Sequence, residues 1–97
     1  MKYNTVKIEN KGGKENYYTI TDKKRYLLSE WVDFCFNFQE GFGIVRKNGK
    51  ENYIKPDGTF LLSDWVDQIW PFYKSFGCVR IGDTRYTVDK NGNLFLF

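Results

Sequence analysis

Residues 27–46 read LLSEWVDFCFNFQEGFGIVR, and residues 61–80 read LLSDWVDQIWPFYKSFGCVR. Eleven of these twenty positions are identical at a constant offset of 34, among them Trp31/Trp65, Val32/Val66, Asp33/Asp67, Phe38/Phe72, Gly43/Gly77, Val45/Val79 and Arg46/Arg80. Self-similarity at such a spacing marks a repeat architecture, in which each copy of one supersecondary unit buries a face against its neighbour. A second match flanks the first: Lys11-x-Gly13-Lys14-Glu15-Asn16-Tyr17 recurs as Lys47-x-Gly49-Lys50-Glu51-Asn52-Tyr53, at an offset of 36. The first copy therefore carries two extra residues between Tyr17 and Leu27, which predicts a bulge or a longer turn there.

Around these anchors the chain alternates apolar and polar residues, as half-buried strands do. Strands are predicted at 3–9, 15–21, 26–28, 42–47, 51–55, 60–62, 76–81, 84–88 and 94–97, while 34–38 and 69–72 are read as crossings that pass back over the core. The turns between them are rich in Gly, Asn, Asp and Pro. Lys47-Asn48-Gly49-Lys50 is a strong short hairpin signal, because Asn-Gly accepts positive φ at both central positions. Ser29 is a fair N-cap for a single helical turn, and Asp33 is the kind of side chain that fixes a turn through nearby amides. No segment sustains a 3.6-residue period. The expectation is one all-β domain over 1–97, with units at about 1–14 (partial), 15–50, 51–85 and 86–97 (partial). Tandem β-hairpin repeats would form a small antiparallel meander or partly closed barrel.

The chain has 97 residues, near the lower comfortable size for one core. Nineteen aromatics offset that smallness, each buried ring removing roughly 150–250 Å² from water. The fold should need neither metal nor disulfide. Cys35 and Cys78 occupy non-equivalent repeat positions, opposite Ile69 and Ile44, and read as small core hydrophobes. No apolar leader follows Met1 and no run is long enough to span a bilayer, so a soluble cytoplasmic protein without membrane association is expected. Opening at a methionine, the chain reads as a stand-alone small protein. The net charge of +3 permits nucleic acid without requiring it.

The recurring residues also carry a family resemblance. A unit of about 35 residues has Val32-Asp33 or Val66-Asp67, then Phe38 or Phe72, then Gly-Phe-Gly-x-Val at 41–45. This resembles the WG β-repeat proteins over most of the chain. In that family phenylalanine, glutamate-glycine and valine precede a lysine-tryptophan-glycine-tyrosine-isoleucine hairpin strand. Here Glu51-Asn52-Tyr53-Ile54 stands in place of the name-giving Trp-Gly, and Lys74-Ser75 replaces the Glu40-Gly41 of the first unit. The resemblance implies a binding or structural module with no enzymatic activity of its own.

The residues agree with that implication. The chain has no histidine, hence neither the usual general base near neutral pH nor the commonest zinc ligand. No CxxC pair and no phosphate-cradling glycine spacing occur. Glu30/Asp33 and Asp64/Asp67 recur three residues apart, but a feature repeated in a repeat reads as architecture: the aspartate of each Trp-Val-Asp ties down a turn while its neighbour is solvated. Catalysis, a metal and a cofactor are not expected. By the same logic Trp31, Trp65, Asp33, Asp67, Phe38, Phe72, Val45 and Val79 are assigned to the structural repeat core.

Candidate binding residues are those outside that set. Trp70 lies beside Pro71 and could line a surface patch with Tyr73 and Phe76. Arg46, Lys47, Lys50, Lys55, Arg80 and Arg85 cluster in hairpin segments, whereas 29–40 and 57–67 carry only acids. Stacked repeats would place hairpin tips on one edge and Trp-Val-Asp turns on the other, predicting a basic rim and an acidic rim. Three functional readings follow. The first is a protein-binding module, such as a bacterial or phage inhibitor or regulator. The second is RNA or single-stranded nucleic-acid binding on the basic rim, with Tyr53, Tyr86 or Trp70 stacking on bases. The third is a homo-oligomer formed through the terminal strand edges at 94–97.

Overall fold

A computed structural model describes residues 6–97. Ten strands form: β1 Lys7–Lys11, β2 Lys14–Ile20, β3 Lys24–Tyr26, β4 Phe34–Gln39, β5 Phe42–Lys47, β6 Lys50–Ile54, β7 Gln68–Tyr73, β8 Phe76–Ile81, β9 Thr84–Val88 and β10 Leu94–Leu96. The described residues contain no helix. The strands make three antiparallel sheets of linear order, β1-β2-β3, β4-β5-β6 and β10-β9-β8-β7. The all-β array of tandem hairpins is therefore as predicted, with each sheet an open meander. The start of the first predicted strand, at 3–5, lies outside the described residues.

Turn chemistry sets the hairpins. Asn48-Gly49 adopts φ of 54° and 78°, the two-positive turn that matches strand twist and that Asn-Gly accepts at little cost. Lys74-Ser75 is forced into the same geometry, at φ of 51° and 75°, without a glycine. Its support comes from the preceding unit: the Glu40 carboxylate accepts from Lys74 N at 2.7 Å and from Ser75 N at 2.9 Å. The two-residue insertion makes neither a bulge nor a longer turn. It adds one rung to the β2–β3 ladder, Ile20↔Lys24, beyond the Thr19↔Arg25 pair. The second copy closes sooner, with Lys55 N donating to Thr59 O at 2.8 Å around Pro56-Asp57-Gly58.

The predicted helical turn at Ser29 does not form. Residues 27–32 run instead along the open edge of β2: Leu27 N donates to Tyr17 O at 2.9 Å, and Glu15 and Val32 exchange both backbone bonds. A lone helical turn fixes several dihedrals for one hydrogen bond and loses to this edge pairing. Between the two contacts the segment bows away, and a side chain fills the gap. Asn16 Nδ2 donates to Leu28 O at 3.0 Å and its Oδ1 accepts from Leu28 N at 3.1 Å, so the amide stands in for a peptide group. Asn52 makes the same pair of bonds to Leu62, at 3.0 and 3.1 Å.

Residues opposite one another on a ladder share a face. By that rule one core lies between Ile8 and Tyr17 of the first sheet and Cys35, Val45 and Ile54 of the second. The other lies between Phe42, Ile44 and Tyr53 of the second sheet and Ile69, Phe72, Val79 and Val88 of the third. Each sheet thus turns a forward face toward the next and a backward face toward the last.

This layering corrects part of the predicted core. Phe72, Val45 and Val79 are wholly buried, and Phe38 is half-buried edge-on to Tyr17. Trp31 and Trp65 are half-buried, each packed on the aromatic five residues before it, Tyr26 or Phe60; Trp65 also packs against the first core, whereas Trp31 stays at its border. Cys35 is buried on a backward face. Cys78 is half-buried on the forward face of the last sheet, outside both cores, and both thiols are free.

Candidate interaction surface

The first two forward faces hold their neighbours by the same device. Glu51 is 2% exposed, and its Oε1 accepts from Ile69 N, in the following sheet, at 2.7 Å. Its other oxygen is neutralised by Arg46, whose Nε lies at 2.8 Å. Glu15 likewise accepts from Cys35 N at 2.7 Å. One turn of sheet further, the Tyr53 hydroxyl sits between Trp70 O at 2.5 Å and Cys78 O at 3.3 Å. The Tyr17 hydroxyl sits between Phe36 O and Ile44 O. Burial pushes both phenols far above their ordinary pKa, so they serve as permanent neutral donors. Gly43 and Gly77 make room for them: a Cβ on Gly43 would lie 2.6 Å from Tyr17 Oη, and one on Gly77 would overlap Tyr53 Oη. Glu-Asn-Tyr and the later Phe-Gly-x-Val are two halves of one inter-repeat joint.

The third hairpin has lost its half. Arg80↔Arg85, Val79↔Tyr86 and Cys78↔Thr87 repeat the register of Arg46↔Glu51, Val45↔Asn52 and Ile44↔Tyr53. Arg85-Tyr86-Thr87 therefore stands where Glu-Asn-Tyr would be, with no carboxylate to receive a backbone N–H and no phenol to reach across. No described element covers this forward face. It carries Trp70, Phe76, Cys78, Thr87 and Phe95 beside Arg80 and Arg85, with Phe76 51% and Phe95 52% exposed. The Arg85 guanidinium lies 5.0 Å from the Trp70 ring centre, a cation–π contact. Arg80 Nη1 donates to Gly82 O at 2.7 Å.

Of the predicted binding residues, Trp70, Phe76, Arg80 and Arg85 share this face, and Tyr73, 66% exposed, sits at its end beside the β7–β8 turn. The others do not join them. Arg46 serves Glu51, Lys47 pairs with Glu30, Lys50 pairs with Asp67, and Lys55 is half-buried just past β6. Tyr53 is fully buried and Tyr86 packs against a core, so neither presents a ring for a base to stack on.

The pairs also overturn the predicted separate rims. Because Val32 and Val66 pair back to Glu15 and Glu51, each Trp-Val-Asp segment returns to the hairpin-tip edge. There Asp33 joins the Lys14 ammonium to Asn48 N, at 2.9 Å, and Asp67 joins Lys50 to Gly82 N, at 2.6 Å. The lysine first, and the backbone N–H second, hold both carboxyls below the ordinary aspartate value. Each aspartate thus fixes a tip fifteen residues downstream, where a local turn was expected. Acids and bases interleave on one edge.

A cleft of about 280 Å³ opens on that edge between Leu28, Phe60 and Trp65, but the Glu30 and Lys47 side chains that border it are paired to each other. Among the described residues no three potential metal-ligating side chains come together. Sequence reasoning noticed the recurrence of Glu-Asn-Tyr without assigning it work. Its presence in two hairpins and replacement in the third was the available signal. Comparison of the chain with family models, curated proteins and solved structures finds no significant match.

Proposed function

We propose that this is a non-enzymatic β-repeat protein, akin to the WG-repeat proteins, that acts by binding a partner protein. Inhibitors or regulators of bacterial or phage type fit that mode of action. The observation that carries the reading is the uncovered forward face of the third sheet. In the first two sheets the equivalent face carries the joint and a covering sheet, with Phe34 and Phe36 still exposed on the second; here both joint and cover are missing, and Phe76 and Phe95 stand half in water. Contiguous exposed apolar surface of this kind marks recognition sites. Affinity capture with the wild-type chain and with Phe76→Ser/Tyr73→Ser tests it. Recovery from the source organism of a stoichiometric protein that the variant loses is expected; equal recovery by both would refute the reading.

A second reading, single-stranded nucleic acid on the same face, draws on the Arg80–Arg85 pair beside Trp70. It requires RNA or single-stranded DNA binding at about 50 mM salt that weakens steeply as salt is raised.

A further inference from the structure

The two intact joints select their neighbour by the sign of the group they offer. Glu15 and Glu51 are acceptors, and each takes a backbone N–H of the next sheet at 2.7 Å. Arg85 occupies the same ladder position in the third sheet and lies directly across from Arg80. A guanidinium carries only donors, so the joint is reversed: this position now asks for an acceptor. Two like charges opposite each other on a sheet repel, and nothing acidic bonds to either arginine among the described residues. A carboxylate seated between them would relieve that repulsion and could bind a guanidinium through two parallel bonds.

We propose that this face docks a β-strand surface of a partner protein that presents carboxylates and apolar side chains together on one face. The proposal rests on the protein-binding reading above and names the chemistry of its partner. Three observations choose this occupant. The equivalent faces of the first two sheets are each covered by a β-sheet. A second copy fits badly: its own exposed end, the backward face of the first sheet, offers Ile20 and Tyr26 but sets Lys7, Lys11 and Lys24 against one carboxylate, Glu9, which Lys24 already engages. Two terminal faces meeting head on would oppose arginine to arginine. A nucleobase would find the Trp70 ring already covered by Arg85.

The test is an NMR titration of the full-length ¹⁵N-labelled chain at low salt. The probes are two capped octapeptides, one repeating glutamate-threonine-valine-threonine and the other with lysine in place of glutamate, so that in a strand charge and valine share a face, with oligouridine as a third. Expected are saturable shifts from the glutamate peptide in Phe76–Ile81 and Thr84–Val88, and none there from the lysine peptide. Arg80→Gln/Arg85→Gln should weaken binding at least tenfold, whereas Arg80→Lys/Arg85→Lys, which keeps the charge but loses the planar fork, should fall between that variant and wild type. If both peptides shift these residues equally and only Phe76→Ser abolishes the effect, the acidic partner is refuted while the protein-binding face stands. Silence from both peptides, or tighter binding of oligouridine at the same residues, overturns the inference. So does self-association of the wild-type chain through this face.

Discussion

Replacing Gly77 by alanine and Tyr53 by phenylalanine, singly and together, tests whether the inter-repeat joint works as described. Tyr53 is wholly buried, and its hydroxyl is the atom that reaches Trp70 O at 2.5 Å. Removing it leaves a buried carbonyl without that donor, which costs about 1–2 kcal/mol. A Cβ on Gly77 overlaps the same hydroxyl, while its next neighbours, Tyr53 Cζ and Val88 Cγ1, lie at 3.0 Å and can give by a few tenths of an ångström. Overpacking of this kind costs about 1–3 kcal/mol, and displacing the hydroxyl forfeits its hydrogen bond as well. Alanine regains about 0.5–1 kcal/mol of strand propensity, leaving Gly77→Ala near 2–3 kcal/mol. Once the hydroxyl is gone, however, the alanine methyl has most of the room it needs. The double variant should therefore lose only about 2 kcal/mol, well short of the 3–5 of simple addition. Urea unfolding followed by tryptophan fluorescence measures all four corners of the cycle. Additivity within about 0.5 kcal/mol would show that glycine and tyrosine do not answer to each other, and the joint would have to be abandoned.

Other outcomes can be checked with the same assay. Asn52→Ala removes both bonds to Leu62 from a site 1% exposed and should cost about 2–3 kcal/mol, whereas exposed Asn91→Ala should cost under about 1 kcal/mol; equal losses would contradict the role given to the buried amide. Ser75→Gly, at φ of 75°, should stabilise by about 1 kcal/mol, and Glu40→Gln should destabilise wild type by loosening the same turn. Asp33 and Asp67 are held below their ordinary value of 3.8, so their contribution is whole above that pH and disappears as pH falls through their lowered folded values. The urea midpoint should be flat from pH 7 to 5 and drop below about pH 4, less steeply in Asp33→Asn/Asp67→Asn. Burial first, and Glu15 second, push the Cys35 thiol up to about 12, while Cys78 is the more accessible. One thiol per native chain should react with a disulfide reagent, and the second only in denaturant.

Much of this was legible because a repeat writes its fold twice. The Asn-Gly hairpin, the 34-residue spacing and most of the strand positions need only local chemistry and a ruler. What identity at one spacing cannot reveal is where a shared position lies. Trp31 and Trp65 match each other perfectly yet are half-buried, one at the border of the first core and one against it, since equivalence does not guarantee burial. Asp33 looked like a local turn-former because Asx turns are local; its amide partner is fifteen residues on, brought there by the Glu15–Val32 bridge, which sequence does not announce. The two charged rims failed for the same reason.

The face assignments sharpen the functional argument in turn. Arg46, Lys47, Lys50, Arg80 and Arg85 look alike as a list of cations, yet three of them neutralise carboxylates inside the array. Arg80 and Arg85 differ only because a register places them opposite each other with Trp70 beneath one and no acid above either. In the second unit the matching pair is Arg46 and Glu51, oppositely charged, with the glutamate buried under the next sheet and the arginine half in water. Exchanging that glutamate for arginine removes the acceptor that seats another repeat of this kind and adds charge that water or an acidic partner must satisfy. The same substitution that makes the joint unfit for a further repeat therefore makes the surface fit for recognition.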